Sequence, residues 1–162
     1  MTTERIPTGS SSASDSDHNR CFRIFQYAFR IFEDRFRINQ ADYLALENLV
    51  MDSGLYQRDE WWSKAKSSMI EVNEDGRVRL FGWREPPQSL HPSIGRLQAL
   101  EELDLGYTYN LTSLPEEIGK LGSLIKLRLN CSAVTSLPPS IGRLRSLEEL
   151  DLGYTCNLTS LP

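Results

Sequence analysis

The sequence predicts an α/β fold: a short solenoid with a parallel sheet on its concave face and short helical or 3-10 turns on its convex face, preceded by a helical and hairpin cap. The main observation is an internal repeat, because residues 93–115 recur as residues 140–162 with three differences. A diverged copy lies between them, which gives a repeating unit of 23 or 24 residues. Repetition at this period is typical of stacked coils that bury one continuous core.

Composition restricts the function classes. The chain has 162 residues, 40% of them hydrophobic, and a formal charge of -4, so no global positive charge favours nucleic acid or an acidic membrane surface. The N-terminus lacks the apolar core of a signal peptide, which predicts a cytoplasmic protein. Three cysteines, Cys21, Cys131 and Cys156, are an odd number at no ligand spacing, so we expect reduced thiols and no metal or cofactor.

The N-terminal part divides into two regions. Residues 1–20 are rich in Ser and Thr and nearly free of apolar side chains, which predicts a disordered leader. Residues 21–88 are expected to form the cap. Within it, Asn39 and Asp42 fit the N-cap and N3 positions of a helix that would stop at Gly54.

A second helix is predicted before that one, over the Phe22–Phe36 segment. Its phenylalanines recur at spacings of three and four residues, and the five arginines of residues 20–37 outnumber Glu33 and Asp34. Packing on the cap or first coil is the favoured interpretation of this stripe. Association with a partner or a second copy, and contact with a membrane surface, remain open alternatives. The phenylalanines are Phe22, Phe25, Phe29, Phe32 and Phe36.

A β-hairpin is predicted immediately before the repeats. Apolar residues alternate from Ile70 to Val72 and from Val78 to Leu80, on either side of a polar stretch that ends in Asp-Gly. An Asp-Gly pair between alternating apolar residues is a strong signal for a tight turn.

Residues 89–162 carry about three repeats, the last incomplete. Each begins LxxLxL, in which the later leucines alternate with period two, as a strand burying one face requires. Each also contains IGxL, which places Ile94 and Leu97 at the i,i+3 spacing of a 3-10 turn. Strand, turn and 3-10 piece together make one coil.

These motifs resemble the leucine-rich-repeat family, whose L-x-x-L-x-L signature and period they match. The SLPxxIGxL phrase is most similar to intracellular plant-type repeats, the Ras-group-related and disease-resistance classes. The ninth position, usually Asn or Cys, is Thr108, Ser132 or Thr155 here, and we expect the hydroxyl to bond the backbone of the next coil. The cap also resembles the plant-type N-terminal cap, through Asp42, Ala45, Leu46, Trp61, Trp62, Gly76, Arg77 and Val78.

No catalytic motif is found. The sequence lacks GxSxG, HExxH, CxxC and GxxxxGK[S/T], and neither His18 nor His91 lies in a catalytic pattern. We therefore expect no enzyme activity and no catalytic residue.

The concave face is the candidate partner site. Residues between the buried leucines would point outward, and neighbouring strands would form two charge ladders, Glu102-Lys126-Glu149 and Asp104-Arg128-Asp151, whose members neutralise one another. One interpretation is that these exposed charges pair only with one another. The other is that a protein partner replaces some of these pairings when it binds. The predicted contact residues are Glu102, Asp104, Tyr107, Lys126, Arg128, Asn130, Glu149, Asp151 and Tyr154.

These observations predict a protein-interaction module, and the family resemblance implies a scaffold or sensor in intracellular signalling or defence. The alternative is a non-binding capping fragment of a longer repeat protein or receptor. The final coil has no polar lid in the sequence, so we also expect self-association through it.

Overall fold

A computed structural model describes residues 38–51, 69–83 and 88–162 of the protein. The leader and the Phe22–Phe36 segment lie outside these residues, as do Trp61, Trp62 and the predicted stop at Gly54. The described elements are the helix α1 (Gln40–Met51), the strands β1 (Met69–Val72), β2 (Val78–Gly82), β3 (Glu102–Asp104), β4 (Lys126–Arg128) and β5 (Glu149–Asp151), and the 3-10 helices η1 (Pro92–Arg96), η2 (Glu116–Lys120) and η3 (Pro139–Arg143).

The strands form one five-stranded sheet in the order β1-β2-β3-β4-β5. Strands β1 and β2 are the antiparallel predicted hairpin, and every later pairing is parallel. A parallel pairing between consecutive strands needs a crossover, which the 3-10 helices provide here. The result is the mixed α/β arrangement with a mostly parallel sheet that the sequence predicts.

The helix α1 begins at its predicted N-cap. The Asn39 side-chain oxygen accepts hydrogen bonds from the backbone N–H groups of Ala41 and Asp42 at 3.1 and 3.0 Å. These bonds satisfy donors that the first helical turn would otherwise leave unpaired. The Asn39 N–H donates in turn to the Gly76 carbonyl at 2.8 Å, which ties the helix start to the hairpin turn. Gly76 has a φ of 72°, a conformation that glycine adopts without steric cost.

The carboxylate of Asp42 fastens the helix to β2. It is fully buried and accepts hydrogen bonds from the Arg77 guanidinium and, at 2.7 Å, from the Val78 N–H. The closest Arg77–Asp42 contacts are 3.0 Å. The sequence predicts only a helix-start position for Asp42, whereas the structure shows a charge-assisted link between two elements.

The same helix packs on the first coil. Ser93 in η1 donates its hydroxyl proton to the Ala45 carbonyl at 2.8 Å, and Ala45, Leu46 and Leu49 are buried. The helix therefore lies against η1 much as η2 does from the other side. It covers the leucines that the first coil would otherwise expose.

The predicted strand leucines of β3 and β4 are buried. Leu103 and Leu127, which pair directly across β3 and β4, are both 0% exposed. Ile94 and Leu97 are also fully buried, and the Leu97 N–H donates to the Ile94 carbonyl at 3.1 Å, as a 3-10 turn requires. Each such side chain contributes about 1.5–3 kcal/mol of burial free energy, so stacking of the coils supplies most of the core.

The prediction for the ninth position of the repeat is wrong. The hydroxyls of Thr108 and Thr155 donate to the carbonyls of Leu105 and Leu152 in their own coils, both at 2.6 Å. A threonine hydroxyl is short and reaches the carbonyl three residues earlier, so it closes its own turn instead of joining the next coil. The buried Ser132 hydroxyl has no hydrogen-bond partner among the residues that the structure describes.

The glycines of η1 and η2 allow neighbouring coils to pack closely. A Cβ built on Gly95 would lie 2.6 Å from the Glu117 carbonyl oxygen, and one on Gly119 would lie 2.5 Å from that of Ser140. Gly142 occupies the equivalent position in η3 and would meet nothing within 4 Å. Coils can therefore stack this closely only because the first two positions lack a side chain.

We predict that Gly119→Ala destabilises the protein by about 1–3 kcal/mol, because the new methyl group forces two coils apart. Gly142→Ala is the matched control and should change stability by less than about 0.5 kcal/mol. Urea unfolding followed by circular dichroism measures both. Equal losses in the two variants would contradict this prediction, because Gly142 has no neighbouring coil among the described residues for a methyl group to meet.

Candidate functional site

The concave face is formed by the outward residues of the parallel strands. Glu102 pairs in register with Lys126, which pairs with Glu149 on its other side. Asp104, Arg128 and Asp151 form the second row in the same way. Side chains in directly paired positions of parallel strands lie about 5 Å apart, so this face holds six charged groups within reach of one another.

The predicted charge ladders are only partly correct. Lys126 does lie 3.5 Å from Glu149. Arg128, however, turns across the rows and bonds Glu102 at 2.7 Å, and its nearest approaches to Asp104 and Glu149 are 3.9 Å. A guanidinium reaches further than the strand spacing and presents several donors, so a diagonal carboxylate can compete with the one directly opposite.

Asp151 is the exception among these charges. Its Oδ1 accepts a hydrogen bond from the Gly153 N–H at 2.9 Å, as Asp104 Oδ1 does from Gly106. Within the described residues, no cationic group lies within 4 Å of the Asp151 carboxylate. The β5 end of the concave face therefore carries a negative charge that the side chains of β4 do not neutralise.

The hairpin extends the charged surface on the other side. Arg79 lies 2.6 Å from Glu71 and 3.2 Å from Glu101. The hydrogen bond to Glu101 and the charges of both carboxylates raise the pKa of the Arg79 guanidinium above its ordinary value. These pairs are exposed to solvent, which screens them, so they organise the surface more than they stabilise the fold.

A cavity of about 280 Å³ opens at the carboxyl ends of the strands. The exposed ring of Tyr107 borders it, and Gly82 and Gly106 leave its floor free of side chains. Trp83 also lines it, although this residue is only 6% exposed and belongs to the core. A Cβ on Gly106 would overlap the amide oxygen of Asn130, so this glycine keeps the floor open. The lining residues are Met69, Gly82, Trp83, Asp104, Gly106, Tyr107, Arg128, Asn130 and Asp151.

Two tyrosines at the strand ends occupy a strained backbone conformation. Tyr107 and Tyr154 have φ values of 59° and 57°, and Cys131 at the equivalent place in the middle coil has 56°. A residue with a Cβ in this left-handed region costs about 1–2 kcal/mol relative to the right-handed form. Both tyrosine side chains are nevertheless exposed, at 56% and 86%, so packing does not repay the strain.

The structure brings most of the predicted contact residues together and adds three. Asp104, Tyr107, Arg128, Asn130 and Asp151 share the cavity, and Glu102, Lys126 and Glu149 form the row beside it. Tyr154 is on the same strand ends but does not line the cavity. The additional lining residues Met69, Gly82 and Trp83 come from the hairpin region. The large aromatic residues Phe81 and Trp83 stand two positions apart and are both buried. This spacing is the sequence signal that could have identified β2 as the strand that pairs with β3.

The described residues contain no group of three or more His, Cys, Asp or Glu side chains that could hold a metal ion. Nor does any helix in the described part of the chain have the length and apolar character needed to cross a bilayer. Cys131 and Cys156 are both free thiols.

A mostly parallel sheet backed by 3-10 turns, built from 23- or 24-residue units, is a leucine-rich-repeat-like fold. No protein family model matches the chain, and no curated protein sequence matches it significantly. A plant ice-binding protein of known structure matches 72% of this chain and 41% of its own length, with 26% identity and a TM-score of 0.55. A leucine-rich-repeat protein of Leptospira interrogans matches 46% of this chain and 18% of its own length, with 42% identity and a TM-score of 0.40. The chain thus spans less than half of either structure.

We predict that Arg128→Glu destabilises the protein more than Lys126→Glu, by about 1–2 kcal/mol at low salt, because Arg128 lies within 4 Å of three carboxylates and Lys126 within 4 Å of one. Unfolding in urea at low and at 1 M salt measures the two variants, and the difference should shrink at high salt. Equal losses would show that the diagonal contact with Glu102 contributes nothing.

Proposed function

We propose that this protein is a non-catalytic interaction module that binds a protein partner through its concave face. The single observation that supports this function is the pair of exposed tyrosines held in strained backbone at the mouth of a charged sheet. Strain that packing does not repay is typical of functional positions. Tyrosine is also enriched at the centres of protein interfaces, where it buries a large area at little entropic cost.

The biological role that we propose follows from the resemblance to plant-type intracellular repeats: a cytoplasmic scaffold or sensor in signalling or defence recognition. The sheet supports such a role because it presents charged and aromatic side chains on a rigid frame. Sites on regular elements hold their geometry more accurately than sites on loops.

We predict that Tyr107→Asn abolishes most partner binding while leaving the free energy of unfolding unchanged or raising it by up to about 1 kcal/mol, because asparagine tolerates the left-handed region. Tyr109→Asn is the matched control: Tyr109 is 74% exposed in the same coil, but its backbone lies outside that region and its side chain does not line the cavity. Affinity capture from the native cell, followed by mass spectrometry and calorimetry, measures binding. Unchanged partner capture by Tyr107→Asn would contradict this function and favour a non-binding capping fragment.

A second contact that we propose is self-association along β5. Within the described residues, no strand pairs with the outer edge of β5. Leu150 and Leu161 are 38% and 64% exposed, whereas Leu127, which pairs with Leu150, is fully buried. A parallel edge with exposed leucines is a template for pairing with another chain.

We predict that the protein self-associates with rising concentration, as measured by analytical ultracentrifugation, and that Leu150→Lys reduces this association. The amide protons of β5 should exchange faster than those of β4, which lies between two strands. A protein that stays monomeric at millimolar concentration, with equal protection of β4 and β5, would exclude self-association here.

A ladder of threonines favours a second candidate function, the binding of ice, the property for which the plant protein with the similar fold is named. The hydroxyl of Thr112 donates to the Gln88 carbonyl, that of Thr135 to Thr112, and that of Thr159 to Thr135, at 3.1, 3.4 and 3.2 Å. All three threonines are exposed. Their hydroxyls are thus held along the coil axis at a regular repeat of about 4.8 Å.

This candidate predicts that the protein inhibits ice recrystallisation and that Thr135→Asp removes the effect by interrupting the ladder. Ser123→Asp is the control, because Ser123 is equally exposed but lies outside the ladder. Grain size in annealed ice films is the measurement. Grains as large with the native protein as with serum albumin would rule out this candidate.

A further inference from the structure

The charge of the concave face determines what its cavity can accept. The outward positions of β3, β4 and β5 hold four carboxylates and two cations, a net charge of -2. Arg128, the cation that lines the cavity, is occupied by Glu102 at 2.7 Å. An anionic ligand would therefore meet mainly carboxylates, whereas a cation would find in Asp151 a carboxylate that has no cationic group of the described residues within 4 Å.

The carboxylate of Asp151 is held in place for such a contact. Its Oδ1 is fixed by the Gly153 N–H at 2.9 Å, and Asp104, the other acid of the cavity, is fixed by Gly106 in the same way. A charged acceptor that is already oriented loses little entropy when a ligand arrives. Charge-assisted hydrogen bonds to such groups are the stronger class.

The exposed aromatic ring at the cavity favours the same kind of ligand. Tyr107 borders the cavity and is 56% exposed, and the face of a tyrosine ring attracts ammonium and guanidinium groups. The open floor at Gly82 and Gly106 lets an extended chain approach the sheet closely. An aromatic ring beside a carboxylate that has no ion-pair partner in the described residues suits a cation carried on an alkyl stem.

We propose that this cavity receives a lysine or arginine side chain from an extended segment of the partner, with the segment lying across the strands. This inference rests on the proposed function, because it names the chemistry of the partner at the same face. The aliphatic stem would contact the ring of Tyr107, while the charged end meets the carboxylate of Asp151.

The test uses positional-scanning pools of eight-residue peptides in which a central residue is fixed as Arg, Lys, Gln or Glu and the flanks are random. Fluorescence anisotropy with the full chain should show the Arg and Lys pools binding about tenfold more tightly than the Gln pool, with the difference falling as salt rises. Asp151→Asn keeps the acceptor oxygen for Gly153 and should remove most of this preference. Glu148→Gln, which neutralises an exposed acid outside the cavity, should leave it unchanged.

Gln or Glu pools that bind as tightly as the Arg pool would overturn the inference, and so would an Arg preference that Asp151→Asn leaves intact or an absence of binding by every pool. The proposed function is tested separately by capture of the native partner with Tyr107→Asn. Loss of capture in that variant together with indifference to Asp151→Asn would refute the cationic ligand alone.

Discussion

Every part of this protein depends on the close approach of one coil to the next. A single coil has leucines on one face of a three-residue strand and one 3-10 turn, too little to form a core alone. The coils meet at Gly95 and Gly119, where the backbone of the following coil occupies the space that a Cβ would fill. That contact brings the strands into register, buries the leucines and, as a result, aligns the charged residues between them on the concave face.

The helix α1 and the hairpin, which the sequence predicts as a cap, meet the same constraint with different elements. Within the described residues no 3-10 helix precedes the first coil, and α1 lies against η1, joined to it through Ser93 and to β2 through Asp42. Because β2 pairs in parallel with β3, the hairpin also lengthens the face that carries the charged rows and contributes Met69 and Gly82 to the cavity. These elements thus contribute both to the core and to the proposed recognition surface.

The periodic features could be predicted from the sequence, and the features that depend on side-chain reach could not. The repeat fixed the strand register, so the rows containing Lys126 and Arg128 were predictable from spacing alone. The turn of Arg128 toward Glu102 was not, because several carboxylates lie within reach of one guanidinium and small differences in geometry select among them. The left-handed backbone conformation of Tyr107 could not be predicted either, since glycine is the residue that usually adopts this conformation.

The glycine contact also has a consequence for how such a chain can evolve. Each unit carries both halves of the interface, the glycine that leaves a space and the backbone segment that fills the space of the unit before it. A tandem duplication of one or two units therefore brings its own complementary surfaces and needs no compensating mutation. The near identity of residues 93–115 and 140–162 is the trace that such an event leaves in a sequence.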